Sequence, residues 1–270
     1  MRLILSLLLV FTGLTGSAAA QTVQRAELWN TEQFVLHSKI LERDFLIQVA
    51  KPFGEVKGKV PAVYITDGNM LFMAAAAVAA ANAGKDSTGP AYYIGIGYPE
   101  QDRDLWFKDR SAHLTHVDMK AKVPTGHGDK FAQFLIRELR PAIEARYPVD
   151  PARRMLAGYS FGGLFATRVL LDHPDAFDTY LLGSPSIWVE PALLDRAKAF
   201  STPASPKRVF IAVGALEPPF MRTAELRDAL SQPGNGVTVQ YWSVPDENHM
   251  TVPPAFLARA LRFALPPPRQ

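Results

Sequence analysis

Arg153-Arg154-Met155-Leu156-Ala157-Gly158-Tyr159-Ser160-Phe161-Gly162-Gly163-Leu164 is the stretch on which the fold turns. A strand-like run, Arg153 to Ala157, leads into a glycine-flanked serine, and a helix-like run, Leu164 to Leu171, leads away from it. Strand, tight turn and helix hold the apical residue in a strained conformation, and small residues two before and two after it let strand and helix approach and expose its hydroxyl. The pattern G-x-S-x-G is common by chance, so it is this context that makes Ser160 the first candidate nucleophile.

On either side of this turn, buried strands alternate with helices. Val60 to Thr66 precedes Met70 to Ala83, and Ala91 to Gly97 precedes Asp129 to Tyr147. Thr179 to Leu182 follows the serine helix; Val209 to Gly214 then precedes Met221 to Leu230, and Val237 to Val244 precedes Pro254 to Ala264. Continuous apolar strands separated by helices predict a mostly parallel sheet covered on both faces. Gln33 to His37 and Asp44 to Lys51 alternate like an antiparallel pair and start the sheet from its edge. Phe131, Phe134, Leu135, Leu139 and Ile143 recur at helical spacing, and Pro141 is expected to kink or interrupt their helix. The excursion after the Thr179 strand, from about Ser184 to Pro206, is too short for a large lid domain, which predicts an open site.

At 270 residues, 48% hydrophobic and 20% charged, the chain can bury one full core. Arg2, the apolar run Leu3 to Leu14 and the small residues before Gln21 read as a signal peptide, residues 1–20, with an Ala-x-Ala cleavage site. A periplasmic or secreted protein without a stable membrane association follows, with a catalytic domain over residues 21–265 and a frayed proline-rich tail over 266–270. There is no cysteine, which excludes thiolate nucleophiles, thiolate metal sites and disulfides. The net charge of +3 comes from 29 basic and 26 acidic residues without a basic run, so nucleic acid is not an expected partner. The sequence carries no signature of oligomeric state.

In a parallel α/β sheet the reacting groups gather at the carboxyl ends of the strands. His249 lies just past the last strand, in the place of a general base. Two carboxylates are open as the acid that orients it: Glu217, the first after the Val209 strand, and Asp246, three residues before the histidine. A Ser-His dyad is the third arrangement. The N–H of Phe161 and that of Asn69, in Thr66-Asp67-Gly68-Asn69, are the candidate oxyanion donors. His113, His116 and His127 share one predicted loop at a spacing that metal ligands use, but no carboxylate pattern accompanies them and no metal or cofactor is expected. His173, in Asp172-His173-Pro174, reads as a helix cap.

Several segments together resemble the putative-esterase family of α/β-hydrolases, which includes the enterochelin and salmochelin esterases, esterase D and the mycolyl antigens. They are Val63-Tyr64-Ile65-Thr66-Asp67-Gly68-Asn69, Ile94-Gly95-Ile96-Gly97-Tyr98-Pro99, Glu138-Leu139-Arg140-Pro141, Leu156 to Leu164, His173-Pro174-Asp175-Ala176-Phe177, Ser184-Pro185-Ser186-Ile187-Trp188 and Glu247-Asn248-His249. The branch nearest in motif style is that of the siderophore trilactone hydrolases, some of which are periplasmic. The resemblance implies Ser160 as nucleophile, His249 as base and the N–H groups of Phe161 and Asn69 as oxyanion donors. Glu217 matches an acidic position seen in relatives, although the branch is also described as using a dyad. Asp67, Gly68, Arg110, Tyr159 and Trp188, in or beside these segments, are the candidate substrate contacts.

The chain also departs from the family. Arg110-Ser111-Ala112-His113-Leu114-Thr115-His116 stands where relatives commonly have Arg-Asp-x-Thr-Pro, and Tyr159 replaces a frequent histidine. Arg103, Lys108 and Arg110 are placed to meet an anionic siderophore, but Asp102, Asp104 and Asp109 are interleaved with them, as on a solvated loop. The expected function is an exported serine esterase that cleaves a small-molecule ester, with a siderophore trilactone as the leading substrate. The alternatives are a general carboxylesterase, an acyltransferase of the same mechanism and a non-catalytic ligand-binding protein.

Overall fold

Runs that are apolar at every position belong inside a sheet covered on both faces, whereas alternating runs belong at its margin. The computed structural model describes residues 27–54, 56–83, 88–100, 102–120, 122–202 and 205–267. The expected leader and the last three residues of the tail lie outside them. Eight strands form one sheet: β1 (Thr31–Ser38), β2 (Arg43–Ala50), β3 (Val60–Ile65), β4 (Tyr92–Gly97), β5 (Val149–Tyr159), β6 (Thr179–Gly183), β7 (Lys207–Gly214) and β8 (Val237–Val244). Their order is β1-β2-β4-β3-β5-β6-β7-β8. The first two pair antiparallel with each other and β2 antiparallel with β4, and every later neighbour is parallel. Every residue of β3, β4 and β6 is buried, and β1 alternates at the edge.

The helices are α1 (Gly68–Ala81), α2 (Arg103–Leu114), α3 (Gly128–Phe134), α4 (Arg140–Arg146), α5 (Phe161–Asp172), α6 (Leu193–Lys198), α7 (Thr223–Leu230) and α8 (Pro253–Ala264). One core layer packs Leu71, Phe72, Phe256 and Leu257 of α1 and α8 on Val63, Ile65 and Phe210. The opposite layer packs Phe131, Phe134, Phe165 and Leu226 on Tyr64, Ile94 and Ile211. Successive β3 residues thus feed opposite layers, as the period of two requires. This is the mostly parallel sheet covered on both faces that the strand and helix pattern predicts, in the α/β-hydrolase architecture that the family resemblance implies. Between β6 and β7 the described chain carries only a turn at Ile187–Val189 and the six-residue α6, so no large lid covers the sheet.

One segment shows the interruption expected at Pro141, and another differs from expectation. The helix read as Asp129 to Tyr147 is α3, a wide π-helical turn at Leu135–Leu139, and α4, which carries Pro141 in its first turn. Proline has no N–H to donate and its ring crowds the preceding turn, so the widened turn just before it absorbs the mismatch.

The other is α2, where the sequence predicts a loop. Its Asp102 cap accepts from the N–H groups of Asp104 and Leu105, both at 2.9 Å. Only its last turn is buried, and the charges of Arg103, Asp104, Lys108 and Asp109 mask the helical period.

The three loop histidines take different places, although the rings of His113 and His127 lie 6.4 Å apart. His113 closes α2, buried against Phe45, Tyr98 and Phe131. His116 stacks on Phe165, and His127 precedes α3. At the end of α5, the backbone N–H of His173 rather than its side chain completes the cap, donating to the Val169 carbonyl at 2.9 Å.

Burial pushes His113 and His116 down to about 4, far below the ordinary histidine value of 6.5. Both are held neutral in the fold and take up a proton on unfolding as soon as the pH drops below 6.5. Their stabilisation is therefore complete above pH 6.5 and is lost as the pH falls toward 4. His116→Phe keeps the stack on Phe165 and removes one titrating ring. Urea unfolding of this variant between pH 6.5 and 4 should give a stability curve shallower than wild type by about 1.4 kcal/mol per pH unit.

Candidate active site

Ser160 links β5 to α5 with φ 58° and ψ −116°, a conformation that costs a non-glycine residue about 1–3 kcal/mol. Three backbone hydrogen bonds hold it there. Its N–H donates to the Gly183 carbonyl at 2.8 Å, and its own carbonyl accepts from Leu164 N–H at 3.0 Å and Ser186 N–H at 3.1 Å. Glycine is required beside it: a Cβ on Gly158 would sit 2.1 Å from the Gly162 carbonyl oxygen, and one on Gly162 would sit 2.3 Å from Thr66 Oγ1.

The structure brings Ser160, His249 and Glu217 together. Ser160 Oγ lies 3.0 Å from His249 Nε2, and His249 Nδ1 lies 2.9 Å from Glu217 Oε2. Glu217 follows β7 and its side chain is 1% exposed. Its other oxygen accepts from Gly214 N–H at 2.9 Å and Ser184 Oγ at 2.5 Å. Burial alone would raise this carboxyl, but the hydrogen bonds from His249, Ser184 and Gly214 outweigh it and hold it below the usual glutamate value of 4.5. Asp246, the competing acid, is exposed at φ 60° in the turn that leads to His249. The loops bearing acid and base are joined, because Leu216 N–H donates to the Glu247 carbonyl at 2.9 Å.

Asn69 and Phe161 each stand in the first turn of a helix, α1 and α5, where N–H groups have no carbonyl four residues back to bond. The Asn69 side chain is locked to the end of β4: Nδ2 donates to the Tyr98 carbonyl at 2.9 Å and Oδ1 accepts from Tyr98 N–H at 2.7 Å. Asp67, at φ 56°, caps α1 from a buried position. It meets Arg110 of α2 through two parallel bonds of 2.7 and 2.8 Å, and the guanidinium packs against both Trp106 and Phe161. Gly68 lies directly on β4, where a Cβ would come within 2.8 Å of Ile96 N. Of the five candidate substrate contacts, Asp67 and Gly68 are thus built into the scaffold. Arg110 reaches the site with its charge already paired.

A cavity of ≈ 660 Å³ opens over Ser160 and His249. Tyr159, whose ring centre is 5.1 Å from that of His249, and Arg110 also line it. Its mouth is formed by Met70, Trp106, Phe107 and Met250, with Glu100, Asp102 and Arg103 beside them. Lys108 is exposed elsewhere, and Trp188 faces Phe220 edge-on at 6.3 Å, outside this cavity. The apolar mouth escapes a sequence reading because half of it, Trp106 and Phe107, rides on α2. An Asp102 cap followed by Leu105-Trp106-Phe107 was the signal that would have found it. Ser184 and Ser186 were seen only as parts of a motif.

A serine hydrogen-bonded to a histidine backed by a carboxylate, at the carboxyl edge of this sheet, defines a serine hydrolase of the α/β-hydrolase class. The family model described as "Putative esterase" matches residues 38–250, and the chain belongs to that family of carboxylic ester hydrolases. Ferri-bacillibactin esterase of Bacillus subtilis is 31% identical over 262 residues, 88% of this chain and 90% of that protein. The siderophore triacetylfusarinine C esterase of Aspergillus fumigatus is 38% identical over 179 residues, 63% of this chain and 61% of the relative. Among solved structures, the BES protein from Bacillus cereus matches with a TM-score of 0.81 at 30% identity, over 91% of this chain and 99% of that one.

Strand and helix meet so closely at Gly158 that an added methyl has nowhere to go but into backbone. Gly158→Ala is expected to lower stability by about 1–3 kcal/mol, read as a lower urea midpoint with an unchanged slope. An unchanged midpoint would show that β5 and α5 can part without cost.

Proposed function

We propose that this protein is an exported esterase that opens siderophore esters through a covalent acyl-enzyme on Ser160. The observation that carries the mechanism is the unbroken chain of hydrogen bonds from Ser160 through His249 to Glu217, at 3.0 and 2.9 Å. In this reading His249 takes the Ser160 proton as Oγ attacks the ester carbonyl, then delivers it to the departing alkoxide. Glu217 holds the imidazole with its proton on Nδ1, so that Nε2 is free to accept. The N–H groups of Phe161 and Asn69 receive the charge on the carbonyl oxygen. Water repeats the cycle on the acyl-enzyme and releases the acid.

The substrate class is supported by the relatives, whose names state that they act on ferri-bacillibactin and on triacetylfusarinine C. The cleft supports it too. It is open above Ser160, and Trp106 and Phe107 offer flat apolar surface to a bulky arm. Among the described residues that line the cavity, Arg103 is a cation not paired with Asp67.

Hydrolysis of a catecholate trilactone and of a chromogenic short-chain ester, measured side by side, tests both halves of the proposal. Ser160→Ala should lower kcat by about 10⁶-fold, and Glu217→Gln by about 10⁴-fold. A large preference in kcat/KM for the trilactone supports siderophore processing. Equal turnover of both esters would favour a general carboxylesterase, and tight binding without cleavage would replace the enzyme with a binding protein. Export is supported by the leader-like sequence of residues 1–20. Mass spectrometry of the protein recovered outside the cytoplasm should find its amino terminus at Gln21, and an intact Met1 would overturn that assignment.

A further inference from the structure

Counting the protons around Ser160 leaves one hydroxyl without a part in the mechanism. Glu217 is held ionised, so it can only accept, and its Oε2 takes the proton on His249 Nδ1. Nε2 is then bare and accepts the single proton of Ser160. Ser160 Oγ still has a lone pair to offer, and 3.3 Å from it lies Oγ of Ser186. Ser186 is 2% exposed, and among the described residues that contact is the only hydrogen bond its hydroxyl makes. With the Ser160 proton committed to His249, Ser186 has to be the donor.

We propose that Ser186 is a second catalytic hydroxyl, which donates to the nucleophilic oxygen and stabilises the negative charge that gathers there as its proton leaves. The inference rests on Ser160 being the nucleophile. At 3.3 Å the resting contact is longer than the roughly 2.5–3.0 Å of a good O–H···O bond. It shortens as charge develops, and an interaction stronger in the transition state than in the ground state is the kind that accelerates a reaction. The Ser186 backbone is fixed for this task, since its N–H already grips the Ser160 carbonyl at 3.1 Å. The step balances without another reagent. The Oγ–C bond forms, the Ser160 proton passes to Nε2 and then to the leaving alkoxide, and Ser186 keeps its own proton throughout.

The experiment is the rate at which an organofluorophosphate labels Ser160. There Oγ attacks phosphorus, fluoride leaves and His249 takes the proton, so the rate reports nucleophilicity without deacylation. Ser186→Ala should be labelled roughly ten- to hundredfold more slowly, the worth of one hydrogen bond to a charged atom. Its melting temperature should hold, and kcat for the chromogenic ester should fall with KM unchanged. Ser186→Cys, similar in shape with a weak S–H donor, should fall between the two. Labelling of Ser186→Ala at the wild-type rate overturns the proposal. So does a Cys variant as slow as Ala when both have lost melting temperature, which makes Ser186 a packing residue. Wild-type protein that is not labelled, like the Ser160→Ala blank, would instead remove Ser160 from the nucleophile role.

Discussion

The approach of β5 to α5 at Gly158 and Gly162 is the constraint on which the site depends. A backbone that reverses this tightly has room for no side chain at Gly158, and it forces Ser160 to positive φ. The strain persists because three hydrogen bonds from β6, α5 and the Ser186 segment over-determine the turn. The same closeness sets the distance to β3, because Thr66 fills the space over Gly162. Ser160 and the turn that opens α1 at Asn69 are therefore positioned by one packing event.

Acid and base are fixed by different means. Glu217 is buried with both oxygens engaged, one accepting from Gly214 and Ser184 and the other bonded to His249. A buried carboxylate is stable only when it is satisfied in this way. The Leu216–Glu247 backbone bond joins its loop to that of His249, and Gly214 lies so close to the Glu247 backbone that a Cβ would meet its oxygen at 2.4 Å. Acid and base hence travel as one body rather than on two independent loops.

What could be read in the sequence follows the strength of local signals. Apolar runs such as Val60 to Ile65 and Val209 to Val213 announce buried strands by themselves, and the strand–serine–helix pattern announces the elbow. Helix α2 is hard to read because a half-exposed helix with Arg103, Asp104, Lys108 and Asp109 has no apolar stripe, and its one local signal is the Asp102 cap before Leu105-Trp106-Phe107. From the sequence, Arg110 is a candidate substrate contact on a charge-interleaved, solvated loop. Its true partner, Asp67, lies 43 residues away, and nothing local links them. The choice between Glu217 and Asp246 was likewise open, since it is decided by where two loops meet. The candidates for Ser160 and His249 needed only their positions after strands.

The Arg110–Asp67 pair joins the helix that carries the aromatic mouth of the cavity to the turn that opens α1 at Asn69. Trp106 and Phe107 occupy the turn of α2 just before Arg110, and Asp67 stands two residues before Asn69. A buried ion pair adds little net stability but tolerates little change in geometry. In the proposed reaction, a substrate arm that leaned on the aromatic mouth would push on a lever whose far end is the first turn of α1. In such a device the fit of a distant part of the ligand is transmitted as alignment at the scissile bond. Selectivity would then appear in turnover more than in affinity.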